Sequence, residues 1–444
     1  MNSRAKYLSA IAVLAVAAVS IFMLAGDPVS ATDHAVGEDP KDFANVSWIL
    51  ICSILVFVMT PGVALFYGGM LRKQSMSSII AQPLIAMGVM TVSWIVVGYS
   101  LAFSSGNMFF GNLDKVLLNG VSADMILEGD SIPEMEFMLF QMMFGLITAG
   151  IVLGACAERI KYTAITWFLA VWSILVYAPM AHMVWGGGFL MEGLPFDLTT
   201  LDFAGGTVVH ICAGTTGLAL IAYLGKRSER TVKRSHSIPM TFIGCLLLWM
   251  GWFGFNGGSG LNADGQAINA IVVSQISAAC AMLGWAAVQY LHVGRVGGLG
   301  LIAGAIAGLV AITPAAGYVT PVDSIIIGFI GGIVCYFGVI FMRQKSGLDD
   351  ALDVMGVHGI GGIWGAIATG LFASESYGGL IYSGDWHLFV GQLFAVAFTL
   401  VFCFVMSYAI IYVIGKIIKG ARISEDEEAI GQDIIEHGEP AYYM

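Results

Sequence analysis

Eleven stretches of this chain are apolar over the length that crosses a bilayer as a helix, about 20 residues. They lie near 47–69, 77–104, 135–157, 162–186, 203–223, 237–256, 267–291, 298–313, 322–342, 354–373 and 387–415. In hydrocarbon every backbone N–H and C=O must be satisfied within the protein, so each stretch is predicted to be a helix. Composition admits no soluble alternative: 11% of the residues are charged, against about 25% in average chains, too few to coat a globule of this size. Glycine, with 57 residues of 444, has close to twice its usual share, and small residues let lipid-embedded helices approach each other. The fold class is an all-α integral membrane protein.

The seven cysteines (Cys52, Cys156, Cys212, Cys245, Cys280, Cys335 and Cys403) lie in apolar runs with no CxxC pair and no metal-ligand spacing. They read as buried small hydrophobes, and no metal or cofactor is implied. A net charge of -11 without a basic patch excludes nucleic acid as a partner. Residues 1–31 carry a short basic start (Arg4, Lys6), an apolar stretch from Tyr7 to Leu24 and small residues at Val29-Ser30-Ala31. This is the layout of a cleavable signal peptide, with a retained first helix as the alternative.

Residues 32–46 then form an extracellular N-terminus, 47–415 the transmembrane domain and 416–444 a cytoplasmic tail. With the mature N-terminus outside, 15 of the 19 basic residues fall on the cytoplasmic side and only Lys41 and Lys115 lie outside, two more being in the signal segment. That asymmetry follows the positive-inside rule and supports eleven spans.

An internal repeat surrounds two histidines. Val209-His210 is followed by Gly214 and Gly217, and Val357-His358 by Gly362 and Gly365, so each histidine has glycine at plus four and plus seven. The fifth and tenth spans, which carry them, run in opposite directions. This is the trace of a five-plus-five inverted repeat with one further helix, and its substrate path is expected near the midplane between the halves. At 1.5 Å per residue His210 lies about 12 Å inward from Asp202 and His358 about 7 to 8 Å from Asp353. An ionisable group at that depth points to function, although a single histidine is as readily satisfied by a neighbouring carbonyl.

The stretch Asp202-Phe203-Ala204-Gly205-Gly206-Thr207-Val208-Val209-His210 resembles the signature of the ammonium transporter family, and Asp353-Val354-Met355-Gly356-Val357-His358-Gly359 resembles its second histidine motif. Thr60-Pro61-Gly62-Val63-Ala64-Leu65-Phe66-Tyr67-Gly68-Gly69, Ala157-Glu158-Arg159, His182-Met183-Val184-Trp185-Gly186 and Gly254-Phe255-Asn256 match as well. The resemblance implies an ammonium transporter of the bacterial type, working as a homotrimer with one pore per subunit. It maps a recruitment site for ammonium, and by extension methylammonium, onto Phe140, Phe144, Trp185 and Ser259. A stacked phenyl gate falls on Phe144 and Phe255, and paired pore histidines on His210 and His358. The loop between Trp185 and Asp202 is where length is expected to vary.

Topology brings Phe140, Phe144, Trp185, Asp202, Phe255 and Ser259 to the outer mouth, where a cation over the Trp185 face gains about 0.5 to 2 kcal/mol. Trp185 alone would equally read as an interfacial anchor. Asp202 and Asp353 stand at helix starts, where a carboxylate caps free N–H groups, and a structural role is weighed there against direct contact. The tail opens with Ser424-Glu425-Asp426-Glu427, which fits a capping box. Its likeness to the regulatory tail of bacterial members implies a PII-type signalling partner, while composition alone reads as a solvated acidic tail. The function expected is ammonium uptake across the cytoplasmic membrane: recruitment, deprotonation and passage of ammonia, with no enzymatic reaction. The alternatives are a membrane redox protein with haem on His210 and His358, and an ammonium sensor.

Overall fold

A computed structural model describes residues 42–127, 129–228 and 235–442. The signal segment, most of the expected extracellular N-terminus and the basic residues Arg230, Lys233 and Arg234 lie outside the described residues.

Among the described residues ten helices have the length and hydropathy of a membrane span: α1 Phe43–Met70, α2 Lys73–Phe103, α3 Glu134–Cys156, α4 Tyr162–Glu192, α5 Gly206–Leu224, α6 Ile238–Gly257, α7 Gly265–Val293, α9 Pro321–Gln344, α10 Met355–Phe372 and α11 His387–Ile417. Between α7 and α9 the apolar helix α8, Gly298–Ile312, has 15 residues. It covers the eighth expected span, and at 1.5 Å per residue its roughly 22 Å falls short of the hydrocarbon thickness of about 30 Å.

Helix starts carry the chemistry their unpaired N–H groups require. Asp42 accepts from the backbone of Ala44 and Asn45 at α1, Asp264 from Gln266 and Ala267 at α7, and Thr320 with Asp323 closes a capping box at α9. Ser424 and Glu427 close the expected box at a short tail helix, α12 Glu425–Ile430.

The inverted repeat is visible in the helix pairs that meet across it. α1 lies along α6, its Gly62 and the Gly244 of α6 letting the two backbones touch, because a Cβ at Gly244 would meet the Gly62 carbonyl at 2.6 Å. α5 crosses α10 in the same way. The plus-four glycines are the crossing points: a Cβ on Gly214 would overlap the Gly359 backbone, and one on Gly362 would stand 3.1 Å from the His210 Cβ. Each histidine sits in a π-helical turn, Gly206–Ile211 in α5 and Met355–Gly359 in α10, a local widening that recurs at functional positions. Six cysteines are buried as expected, but Cys280 is half-exposed on α7.

The tail departs from a solvated acidic segment: Glu428, Gln432 and Asp433 are buried. Asp433 accepts from the Ser78 backbone N–H at 2.9 Å and Glu436 from that of Tyr162 at 3.3 Å, so tail carboxylates cap the starts of α2 and α4. Glu428 accepts from the Ser228 backbone and from Arg422, both at 2.9 Å.

Candidate functional site

At the start of α5 one carboxylate organises four backbone donors. Asp202 Oδ1 accepts from Gly205 and Gly206, and Oδ2 from Thr207 and Val208, at 2.7 to 3.2 Å. Both oxygens are engaged and the residue is buried, so Asp202 acts as a cap. Its backbone carbonyl holds the Trp185 indole N–H at 2.8 Å, which fixes that ring at the end of α4.

Around Trp185 the aromatic residues form a continuous plug. Phe144 meets Trp185 edge-on at 6.0 Å and Phe140 edge-on at 4.9 Å, while it stacks on Phe255 at 4.2 Å and 22°. Offset stacking at this separation is the favoured geometry of two phenyl rings. Phe144 and Phe255 are buried side by side. Ser259 donates its hydroxyl to the Phe255 carbonyl at 2.7 Å, which leaves its lone pairs free to accept an N–H from above.

Behind the phenyl pair stands His210, its ring 6.0 Å from Phe255 and stacked at 5.3 Å on Trp252. Its Nδ1 is 3.3 Å from Nδ1 of His358, so one ring donates and the other accepts. The Nε2 of His210 is buried with no hydrogen-bond partner among the described residues. Two imidazole nitrogens in direct contact leave no space for a haem between the rings, so this geometry argues against haem on His210 and His358.

Beside His358 lies a cavity of about 320 Å³ lined in part by Tyr67, Trp285, Gln289, Tyr336, Asp353 and His358. His358 is 9% exposed, against 1% for His210, which places the open end on the α10 side of the pair.

Asp353 does not cap α10. Its carboxylate pairs with Arg343, Oδ1 accepting from Nε at 2.8 Å, and the cap is Asp350, which accepts from the backbone of Val354, Met355 and Gly356. The reason is the turn. In the first repeat the third residue after the capping Asp202 is Gly205, in the left-handed region at φ +109°. The equivalent third residue after Asp350 is Asp353 itself, at φ +60°, which turns its side chain away from the helix start. The sequence held the signal, since Asp202 precedes His210 and Asp350 precedes His358 by the same eight residues. Trp252 was also missed. It lies three residues before Phe255 on the same face of α6, and its indole N–H is fixed by the Thr313 hydroxyl at 2.9 Å.

Comparison with known proteins places this arrangement among others. A model of the Ammonium Transporter Family matches residues 47–442. An ammonium transporter of Bacillus subtilis is 46% identical over 400 residues, which is 89% of this chain and 97% of that one. Ammonium transporter Amt1 of Archaeoglobus fulgidus is 43% identical over 404 residues, 90% and 99% of the two chains. Among solved structures, Mep2 of Candida albicans superposes with a TM-score of 0.79 at 33% identity over 87% of this chain and 88% of that one. A sensor Amt protein superposes with a TM-score of 0.81 at 28% identity over 89% and 98%.

Proposed function

The chain belongs to the ammonium transporter family, and on that premise we propose the route by which it carries ammonium across the membrane. Ammonium is held at the mouth by the Trp185 face and the Ser259 lone pairs, flanked by Phe140 and Phe144. A tetrahedral donor gains there from both the ring quadrupole and a directed N–H hydrogen bond, and a bare alkali ion has no N–H to donate. At the Phe144–Phe255 stack the cation gives up its proton to solvent water at the mouth and goes on as ammonia, because a neutral molecule enters an apolar path far more cheaply than an ion. Ammonia then passes His210 and His358, whose ring edges offer weak hydrogen bonds, or a proton relay, without trapping it. The observation that carries this reading is the Nδ1–Nδ1 contact of the twin histidines directly behind a sealed phenyl stack.

The wider assignments form part of the same proposal. The mouth with Trp185 faces outward and the tail faces the cytoplasm, in the cell membrane. Three chains assemble with a pore in each, and the docked tail is the surface on which a PII-type protein acts. Nothing in the route requires a reaction beyond the movement of a proton, in keeping with relatives named as transporters. Methylammonium is a second substrate to the extent that its methyl group clears the phenyl stack.

Current in proteoliposomes under an ammonium gradient tests the route. His210→Leu and His358→Leu are each expected to insert and fold, since one buried group left unpaired costs about 1 to 3 kcal/mol, and each should carry strongly reduced current. The double variant should be little worse than either single one. Full current in both single variants, with insertion confirmed, would make the histidines structural.

A further inference from the structure

The cavity beyond His358 contains two polar atoms that the transport route above does not use. Trp285 and Gln289 sit at i and i+4 on α7 and so share one face, and both line the cavity. The Trp285 Nε1 and the Gln289 Oε1 are buried and have no hydrogen-bond partner among the described residues. Trp285 as a whole is only 5% exposed and is held edge-on against Tyr336 at 5.4 Å. Tyr336 is in turn fixed by its hydroxyl contact of 2.7 Å with His292 Nδ1.

The two free atoms converge on the bare Cα of Gly300, at the start of α8. A Cβ added there would stand 3.0 Å from Trp285 Nε1 and would overlap Gln289 Oε1. A buried donor and a buried acceptor left unmatched in a native protein are costly, and here both face the path a substrate takes.

We propose that Trp285 and Gln289 form a second binding subsite, one that holds neutral ammonia on the cytoplasmic side of the histidine pair before its release. Ammonia has one lone pair and three N–H bonds, so it accepts from the indole N–H and donates to the amide oxygen at once. Ammonium has no lone pair and cannot accept, and alkali ions are repelled by the indole N–H. The pair thereby selects the neutral species that has just crossed and holds it until it meets a proton in the wider cavity. Water shares this hydrogen-bonding chemistry, and the test separates the two. The subsite rests on the proposed route and orientation, and it adds residues that the twin-histidine mechanism does not need.

Ammonium-jump currents on oriented proteoliposomes, with the jump applied to one face at a time, read the subsite. Trp285→Phe keeps the ring but loses the donor, and Gln289→Leu keeps the volume but loses the acceptor. Gly300→Ala keeps both groups and pushes the flexible Gln289 end away from the indole. In each variant the half-saturating ammonium concentration at the cytoplasmic face should rise about three- to tenfold, the equivalent of one neutral hydrogen bond, while that at the outer face moves less than about twofold by the same measure. An unchanged cytoplasmic-face value in all three variants would overturn the subsite and leave the pair as a water site. Absence of ammonium current from either face of the unmodified protein would instead overturn the transport route, so the two failures are distinguishable.

Discussion

Asp202 and Asp350 show how a buried carboxylate serves a membrane helix: each turns several unpaired N–H groups at a helix start into satisfied ones where no water can reach. Replacing Asp350 by Ala should therefore lower the thermal stability of detergent-purified protein by the worth of a cap, about 0.5 to 2 kcal/mol, with Asn retaining part of it. Asp353→Ala, which breaks only the pair with the half-exposed Arg343, should cost less. The reverse order in a melting experiment would reinstate Asp353 as the cap. At the end of the bundle that carries the tail, burial opposes ionisation of Asp349, but hydrogen bonds from Arg227 and the charge of Arg159 prevail and hold its pKa at about 2. That group contributes stability above the unfolded carboxylate pKa of about 3.9. The contribution is lost only as pH falls toward 2, outside the range in which transport is measured.

Among the helices, the crossing of α5 and α10 depends on Gly214 against Gly359. Gly214→Ala should force the two helices apart, at about 1 to 3 kcal/mol for overpacking, and by parting His210 from His358 it should lower current more than stability. Gly88→Ala on α2, where nothing stands within 4 Å of the new Cβ, should change neither and serves as the control. The docked tail makes a separate prediction about pH. His437 lies half-buried, edge-on to Tyr162 at 5.0 Å. Burial holds its pKa below the usual imidazole value, against the pull of Asp433 and Glu439. Since the undocked ring titrates near 6.5, docking is fully supported above that pH and weakens as pH falls below it. Glu436, whose pKa burial raises, titrates in the opposing sense, so the informative quantity is a difference. Amide exchange over 425–437, corrected for its intrinsic rate, should rise more between pH 7.5 and 5.5 in the unmodified protein than in His437→Phe. Equal rises would remove His437 from the account.

At the scale of the molecule, the tail closes the bundle from one side by supplying caps to two helices far away in sequence. Removing residues 424–444 should leave an inserted protein, because the spanning helices are each satisfied internally. Ser78 and Tyr162 lose their acceptors, however, and α2 and α4 should loosen at that end. The expected result is an assembled transporter with altered current or a lost response to a PII-type protein. A truncated protein that matched the intact one in both would show that docking has no bearing on transport.

Hydropathy and glycine spacing run along the chain, so they were legible without coordinates: the spans, the all-helical class, the repeat and the placing of His210 and His358 at matching repeat positions. Even the short α8, Gly298–Ile312, was foreseen as the apolar stretch near 298–313. Tertiary structure decided what depends on two distant segments meeting. Asp353 could be read as a cap until the left-handed turn at its own residue sent its side chain to Arg343. The tail could be read as solvated because its acidic composition says nothing about N–H groups waiting at Ser78 and Tyr162. Trp252 acquires its place only because α5 brings His210 onto its face, and the Nδ1 contact joins residues 148 positions apart. Local pattern specifies which helices form in lipid, since each must satisfy its own backbone. Which polar atoms then pair is a property of the packed bundle, because a partner exists only once another helix delivers it.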